Sequence, residues 1–275
     1  MTTPGNTGGF VLDVTVRWYA RYCFDALYLM VPPMDQPLQA QTKDQTTYAG
    51  ADELWANERY LENYNRDVVR LLSEPLQGAT SVLEFGAGIG TLAGLWRART
   101  KVQPECLEID GNLRQTLTER GFQCHASLDD LQKTFDGIYT SNVLEHISDD
   151  VAILEQLHGK LRPGSRLAVF VPAFMCIYSG ADSAVGHYRR YGRSELLGKL
   201  RAAHFEVLEC RFVDSIGFFA WLSLKLWHGS SPPGLDNSGS LRLYDKYIYP
   251  FSRLLDGLGL RYLFGKNLLV VARKA

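Results

Sequence analysis

The stretch from Ser81 to Gly90, with the sequence SVLEFGAGIG, constrains the fold of this chain more than any other. A short apolar run ends in an acid and breaks into three glycines at alternate positions, Gly86, Gly88 and Gly90. Glycine has no Cβ, so the backbone can turn sharply, adopt positive φ and approach a ligand closely. The residues at 91–99 continue with a helical pattern. The stretch therefore predicts a buried strand, a tight turn and a helix N-terminus, which together form a nucleotide-binding corner.

The spacing of the glycines distinguishes between two classes of nucleotide. A dinucleotide fingerprint needs glycines at the first, third and sixth places of its turn. Counted from Gly86, the sixth place is Thr91, and the third glycine falls one place early at Gly90. Glu84 lies two residues ahead of the first glycine, where a carboxylate attracts an ammonium group and repels a pyrophosphate. The turn is therefore predicted to bind a cationic ligand rather than a nicotinamide dinucleotide.

The segment EFGAGIG at 84–90 resembles motif I of the class I S-adenosylmethionine (SAM) dependent methyltransferases. Two later segments, NVLEHISDD at 142–150 and GHYRRY at 186–191, are similar to segments of a bacterial group of these enzymes. The resemblance covers about residues 55–275. It implies a Rossmann-like α/β fold, with a seven-stranded, mostly parallel sheet whose last strand is antiparallel and with helices on both faces. It also implies SAM as cofactor and S-adenosylhomocysteine as product.

The chain is predicted to consist of two parts. Residues 1–50 form an N-terminal helical extension and linker, and residues 51–275 form the methyltransferase domain, with substrate-covering insertions at about 173–192 and 214–262. After the first strand, further strands are expected at 102–109, 122–125, 135–142, 166–171, 205–212 and 267–273. Helices are expected at 52–72, 112–120, 194–203 and 241–255, and Ser148 is expected to cap the helix after strand four.

The charge balance disfavours a nucleic-acid partner. The chain has 29 basic and 30 acidic residues, so it has no general field that attracts a polyanion. Its five cysteines are scattered, without a CxxC pair or a histidine at metal-ligand spacing. We therefore expect reduced thiols in a cytoplasmic protein and no metal site.

The apolar segment at 10–31 is not expected to enter a membrane. It carries Asp13, Arg17, Arg21 and Asp25, and each charge near a bilayer centre costs about 2.5 to 3.5 kcal/mol. A helix here is expected to pack on the domain or on a second copy, as in a homodimer, with a pocket cover or membrane-surface contact as alternatives. The aromatic run at 216–227 is too short to span a bilayer. It either packs in the core or lines an apolar pocket.

The resemblance assigns the cofactor site residue by residue. Glu108, eighteen residues beyond Gly90, is expected to accept hydrogen bonds from the ribose hydroxyls, with Ile109 beside it. Asp110 is the alternative acid, or the start of the next helix. Ser127 and Leu128 are expected to border the adenine, and the backbone of Asn142 to lie near the amine. The residues of the first turn complete the predicted cofactor site: Glu84, Gly86, Ala87, Gly88 and Gly90.

His146 is implied to be the first titratable side chain near the methyl group, where it would act as a general base. The alternative is that it orients Glu145 or its own loop. Residues 173–192 are predicted to form a lid over the strand ends, and its His187 and Tyr188 complete the catalytic candidates.

Substrate contacts are assigned to Tyr64, Arg189 and Arg190. A guanidinium pairs well with a carboxylate or phosphate. The alternatives are that the arginines hold the lid to Asp182 or Glu145, and that Tyr64 lies on a solvated helix face.

The resulting hypothesis is a SAM-dependent methyltransferase for a small molecule with an apolar or aromatic body and an anionic group. The alternative is a non-catalytic SAM-binding or regulatory protein of the same fold.

Overall fold

A computed structural model describes Tyr48, residues 50–228 and residues 238–275, which belong to one compact unit beginning at residue 44. The predicted helix at 10–31, the predicted linker up to residue 47 and the proposed homodimer contact lie outside the described residues. So does most of the connection expected at 229–239.

Seven strands form a single sheet in the order β3-β2-β1-β4-β5-β7-β6. Strand β7 pairs antiparallel with both β5 and β6, and the other neighbours pair in parallel. This arrangement confirms the predicted fold class. The strands are β1 Val82–Phe85, β2 Glu105–Leu107, β3 Cys124–His125, β4 Phe135–Ser141, β5 Leu161–Pro172, β6 Phe205–Val213 and β7 Asn267–Lys274.

Helices cover both faces of the sheet, and a π-helical turn at Tyr244–Ile248 joins the last two of them. They are α1 Ala51–Tyr60, α2 Glu62–Ser73, α3 Thr91–Thr100, α4 Gly111–Glu119, α5 Asp150–Lys160, α6 Gly180–Ala184, α7 Arg193–Ala202, α8 Ser215–His228, α9 Ser238–Leu243 and α10 Tyr249–Gly257. None of the described helices has both the length and the apolar character needed to cross a membrane.

Neighbouring residues of β4 belong to opposite faces of the sheet, as the two-residue period of a strand requires. Ile138 packs with Leu154 of α5 and Leu196 of α7 on one face. Tyr139 packs on the other face, where its ring stacks on Trp96 of α3 at a centroid distance of 4.3 Å. Both faces are thus apolar and covered, as a parallel sheet needs.

The helix predicted at 52–72 is in fact two helices, α1 and α2, which meet at Leu61. The backbone of Leu61 leaves the helical region, with φ −114° and ψ 51°. Asp245, far along the chain, accepts hydrogen bonds from the backbone N–H groups of Asn63 and Tyr64 at 3.0 and 2.9 Å. A carboxylate from another segment therefore supplies the cap that starts α2.

The predicted start of α5 was wrong by one residue. Asp149, not Ser148, is the N-cap, and its carboxylate accepts a hydrogen bond from Ala152 N at 3.1 Å. An ionised acceptor at this position also interacts favourably with the helix dipole.

Candidate active site

The glycine turn after β1 has the backbone geometry that its sequence predicts. Gly86, Gly88 and Gly90 have φ of +79°, +55° and +85°. A Cβ at Gly86 would overlap the side chain of Val143, so both the conformation and the space require glycine there. The N–H groups of Gly86 and Ala87 donate to Leu107 O at 2.9 and 3.0 Å. These two bonds hold the turn against the end of β2.

Glu108 joins the glycine turn to the end of β2. Its Oε2 accepts from Gly88 N at 2.9 Å and its Oε1 accepts from Asp110 N at 3.0 Å. A carboxylate has about four lone-pair sites, so two remain for a ligand. Asp110 instead caps α4, accepting from Asn112 N and Leu113 N at 2.8 and 3.1 Å. Of the two acids considered from the sequence, Asp110 is therefore the one that starts the helix.

The residues predicted to border the ribose and the adenine differ in exposure. Ile109, predicted to lie beside Glu108, is 79% exposed. Ser127 caps a short 3-10 turn, with its Oγ accepting from Asp129 N at 3.0 Å. Leu128 is buried in the core on the α5 side of the sheet. The adenine contact of Ser127 and Leu128 stays a prediction.

The chain leaves β4 through a residue in the left-handed region. Asn142 has φ +53°, is exposed, and donates its N–H to Phe170 O at 2.8 Å. A non-glycine residue in this region costs energy and often marks a functional site. The 3-10 turn Leu144–His146 follows, so Glu145 and His146 stand at the carboxyl end of β4. This edge is the one that also carries the glycine turn and Glu108.

Glu84 lies beneath the glycine turn, where it is only 2% exposed. Its Oε2 accepts a hydrogen bond from the Tyr139 hydroxyl at 2.9 Å. Burial raises the pKa of Glu84 to about 8, against the lowering effect of this hydrogen bond. The expectation that a charged Glu84 points toward the ligand therefore needs correction, because in this structure the carboxyl group is bonded inside the fold and mostly neutral near pH 7.

Three side chains lie together where the sequence predicts the methyl group of the cofactor to be. They are Glu145, His146 and His187. The rings of His146 and His187 meet edge to face, with centroids 4.6 Å apart. His187 Nδ1 is 2.8 Å from Asp182 Oδ1, and His187 Nε2 is 3.9 Å from Glu145 Oε1. Burial, followed by the charge of His187, lowers the pKa of His146 to about 4, so its imidazole is neutral at physiological pH.

Glu145 is completely buried, and burial raises its pKa to about 8 although the positive charge of Arg190 acts in the opposite direction. Neither of its carboxylate oxygens has a hydrogen-bond partner in the part of the chain that the structure describes. A buried polar group without a partner is costly, so this side chain requires an explanation.

The predicted lid returns to the sheet and is held by ion pairs. Arg190 Nε donates to Asp182 Oδ1 at 2.8 Å, and both side chains are buried. Arg189 Nη1 donates to Asp150 Oδ2 at 2.7 Å. Arg189 thus holds the lid to α5 through Asp150, which is the role given by the alternative interpretation, whereas Arg190 pairs with Asp182 inside the lid and not with Glu145. Their substrate contact stays a prediction.

Tyr188 is 61% exposed, and its N–H donates to Glu145 O at 2.8 Å. This bond ties the lid to the turn after β4. Tyr64 is buried, so the alternative of a solvated helix face was wrong. Its hydroxyl accepts from Asn267 Nδ2 at 3.0 Å, and its ring packs against Tyr249 at 5.0 Å. Substrate contact by Tyr64 stays a prediction that its burial disfavours.

Lys266, which precedes β7, is a candidate site residue that the sequence did not indicate. Its Nζ lies 4.9 Å from the ring centroid of Trp221 and 5.8 and 5.9 Å from those of Tyr244 and Tyr64. Burial lowers its pKa. Because its aromatic neighbours come from three separate segments, no local pattern could have indicated this site.

Sequence reasoning also missed Tyr48. Its N–H donates to Asp110 Oδ2 at 2.7 Å, and its ring meets that of His146 edge to face at 5.5 Å. Tyr48 therefore connects the two rims of the crevice, at the ends of β2 and β4.

Residues 57–210 match the family model described as a methyltransferase domain. The match covers more than half of the chain. The chain belongs to this family and is a class I SAM-dependent methyltransferase. No curated protein matches it.

Solved methyltransferases share the fold of this methyltransferase. A SAM-dependent methyltransferase from Archaeoglobus fulgidus has a TM-score of 0.55 and 16% identity, over 81% of this chain and 99% of its own. The CcbJ methyltransferase from Streptomyces caelestis has a TM-score of 0.55 and 14% identity, over 85% and 100%. The 1,6-didemethyltoxoflavin-N1-methyltransferase from Burkholderia thailandensis has a TM-score of 0.51 and 18% identity, over 88% and 94%. At these identities the likeness concerns the fold.

Proposed function

We propose that this methyltransferase transfers the methyl group of SAM to a small-molecule acceptor that has an apolar or aromatic body and an anionic group. The binding of SAM is supported by one observation, which is that three strand ends converge at one edge of the sheet. The glycine turn after β1, Glu108 after β2 and Asn142 after β4 lie at this edge. Open α/β sheets bind their ligands there.

Each part of the cofactor has a proposed partner at this edge. The free lone pairs of Glu108 suit the two ribose hydroxyls, and the exposed Ile109 suits one face of the adenine. The turn from Gly86 to Gly90 lets the backbone approach the amino-acid part, with the backbone of Asn142 near the amine. The proposed cofactor site as a whole consists of Gly86, Ala87, Gly88, Gly90, Glu108, Ile109, Ser127, Leu128 and Asn142, with Glu84 supporting the glycine turn from beneath.

Hydrogen-bond donors around Trp221 support the proposal that the substrate has an anionic group. Arg190 and Lys266 lie over its ring, with the guanidinium carbon and Nζ at 5.4 and 4.9 Å from the centroid. Arg190 Nη1 and Trp221 Nε1 are buried and find no acceptor among the described residues. A carboxylate or phosphate would satisfy these donors. The aromatic surroundings of Lys266 suit an apolar or aromatic body.

The chain's own contribution to the reaction is alignment and exclusion of water. When bound, SAM supplies an activated methyl group on a sulfonium, which is transferred by in-line displacement. The lid at 173–192 is tied to the rest of the fold through Tyr188 N and Arg189, and the pair of Arg190 with Asp182 stabilises it internally. Removing water favours a step in which the charge on sulfur disperses.

The proton of an acceptor hydroxyl needs a destination, and His146, His187 and Tyr188 are the candidates. With a pKa near 4, His146 is a weak base at neutral pH, because a general base works best when its pKa lies near the working pH. A base role for His146 stays a prediction that this pKa disfavours.

A cytoplasmic location is proposed from the thiols. The four cysteines within the described residues are free, although Cys106 and Cys124 are register neighbours on β2 and β3. Scattered cysteines without a disulfide pattern are typical of proteins of a reducing compartment.

The test combines binding and turnover. Calorimetric titration is expected to show one SAM bound per chain and no binding of NAD. Incubation with SAM and a metabolite extract of the producing organism is expected to give a compound heavier by one methyl group, detected by mass spectrometry. Absence of SAM binding would contradict the proposal. SAM binding without any methylated product would favour the alternative, a non-catalytic protein of the same fold.

A further inference from the structure

We propose that Glu145, His146 and His187 bind one divalent transition-metal ion, which in turn binds the acceptor atom of the substrate. The metal site stands on geometry alone. Its role toward the acceptor rests on the proposed methyl transfer.

The donor atoms have nearly the separation that a shared metal requires. One donor atom from each residue lies within 4.8 Å of the other two. Two donors that each lie about 2.1 Å from one metal are at most about 4.2 Å apart. The 3.9 Å between His187 Nε2 and Glu145 Oε1 already satisfies this limit. Small side-chain adjustments bring the third donor into range.

The second observation in favour of a metal site is that the carboxyl group of Glu145 has no hydrogen-bond partner among the described residues. This side chain has no exposed surface, and both oxygens lack a hydrogen-bond partner within the described ranges. Buried polar groups in proteins are hydrogen-bonded or coordinate metals, and a metal ion displaces the proton of a neutral carboxyl group when it binds. Arg190 Nη1 also lacks a partner, yet that arginine is paired with Asp182 through Nε and leaves Glu145 unbonded. A metal ion would satisfy Glu145.

His187 is oriented as metal-binding histidines are. Its Nδ1 lies 2.8 Å from Asp182 Oδ1, so a proton on Nδ1 leaves the lone pair of Nε2 toward Glu145. A carboxylate on the far nitrogen typically fixes the ring and tautomer of a metal-binding histidine. Asp182 is itself held by Arg190 and by Ser179 N. The groups that support the ligand are thus already in place.

The ligand set indicates the class of metal. Two imidazoles and one carboxylate suit Zn²⁺, Fe²⁺ and related divalent ions better than Mg²⁺ or Ca²⁺, which prefer oxygen ligands. Three protein ligands leave a position open for a substrate atom. The sequence did not predict this site, because His187 lies on the lid and approaches Glu145 and His146 only in the fold.

At the open position the ion would act as a Lewis acid. An acceptor hydroxyl that binds through its oxygen loses its proton more readily, and the proton passes to water. The oxygen lone pair then forms the new C–O bond, the C–S bond breaks, and its electron pair stays on sulfur to give neutral S-adenosylhomocysteine. This role removes the need for a strong protein base.

Metal binding is tested without SAM, on protein freed of any affinity tag. Zn²⁺ is titrated against a chromophoric chelator, and Co²⁺ binding is followed by visible absorption. The wild type is expected to bind one ion per chain. Its Co²⁺ form is expected to show the visible absorption bands typical of an ion with four or five nitrogen and oxygen ligands. Glu145→Gln and His187→Ala are each expected to weaken Zn²⁺ binding at least about tenfold.

His204→Asn is the matched control. His204 lies outside the cluster but meets another histidine, His158, at a centroid distance of 6.1 Å. It has φ +65°, which asparagine tolerates. This variant is expected to bind Zn²⁺ as the wild type does. A wild type that binds neither Zn²⁺ nor Co²⁺ overturns the site, as do folded Glu145 and His187 variants that bind Zn²⁺ unchanged. If a variant does not fold, Co²⁺ binding to the wild type still decides whether the metal site exists.

The role toward the acceptor has a separate readout. Removal of metal by a chelator is expected to lower kcat at least about tenfold, to leave the SAM dissociation constant unchanged, and to be reversed by Zn²⁺ or Fe²⁺. Full activity of metal-free enzyme would overturn this role. Metal binding by a protein that does not bind SAM would leave the site standing and contradict the proposed function.

Discussion

At the scale of single residues, two glycines eight residues apart, Gly86 and Gly94, have opposite requirements. Gly86 has φ +79°, and a Cβ there would overlap the side chain of Val143. Gly94, inside α3, has nothing within 4 Å of the place where a Cβ would be. A short β-branched side chain such as that of Val143 has little freedom to move away. The two positions therefore form a matched pair for testing the turn.

Gly86→Ala is expected to weaken SAM binding more than tenfold and to destabilise the fold by about 1 to 2 kcal/mol or more. The reasons are that alanine is strained in left-handed backbone and that its Cβ would overlap the side chain of Val143. Gly94→Ala is expected to leave SAM affinity unchanged and to stabilise the fold by up to about 1 kcal/mol, as in other helix interiors. Urea unfolding and calorimetry measure both. Equal effects at the two positions would contradict the assigned geometry.

Glu84 gives a prediction about pH. Its pKa of about 8 in the fold exceeds the ordinary value of 4.5, mainly because of burial. Between these two pH values the folded state keeps a proton that the unfolded state loses, so stability falls as pH rises, by up to about 1.4 kcal/mol per pH unit. Glu84→Gln, which is neutral and of similar shape, is expected to flatten the decline of the unfolding temperature between about pH 5 and pH 8.

The control for Glu84 is Glu155→Gln on the exposed face of α5. This variant is expected to follow the wild-type pH profile. An unchanged slope in Glu84→Gln would show that this carboxyl group titrates normally in the fold.

At the scale of elements, α1 is the least anchored part of the crevice. None of its residues is buried. It reaches the site through Leu54, whose Cδ1 would lie 3.2 Å from a Cβ at Gly88, and through Glu58, whose Oε1 is 2.6 Å from Arg120 Nη1. Helices with few buried contacts open locally at low cost.

Amide hydrogen exchange in α1 is therefore expected to be fast without cofactor and slower with SAM or S-adenosylhomocysteine bound. The reason is that a ligand in the glycine turn adds contacts beneath Leu54. Helix α7, which buries Leu196 and Leu200, is the internal reference and is expected to be slow in both states. Protection of α1 that equals that of α7 before ligand is added would be evidence against this interpretation.

At the scale of the whole molecule, the last strand holds the sheet together. Strand β7 lies between β5 and β6 and pairs with both along its length, and its residues from Asn267 to Ala272 are buried. Every proposed cofactor contact lies far earlier in the chain. Cofactor binding at residues 84–142 is therefore predicted to depend on a strand that begins more than 120 residues later.

Deletion of residues 267–275 is expected to abolish cooperative unfolding and SAM binding together, because β5 and β6 each lose a ladder of hydrogen bonds and a buried apolar face. Deletion of Ala275 alone, which is exposed, is the control and is expected to change neither. Circular dichroism and calorimetry give the two readouts. A shortened chain that still binds SAM would show that β7 is dispensable.

The features predicted from the sequence are those that depend on residues close together in the chain. The glycine turn, Glu108 at the tip of β2 and most strands were recognisable because backbone conformation and strand period depend on neighbouring residues. The antiparallel β7 followed from the resemblance. Helix boundaries failed where a distant group decided them, as Asp245 does at the start of α2.

By itself, the sequence determined the class of the fold and predicted the strand ends proposed to hold the cofactor, because motif I is continuous and glycine is the residue that best tolerates left-handed backbone. Only the tertiary structure decided which charges are neutralised and which are left without a partner. Arg190 meets Asp182, Lys266 meets Trp221, and Glu145 finds no hydrogen-bond partner among the residues that the structure describes. Burial and long-range contact set these relations, and neither can be read from a residue's neighbours in the chain.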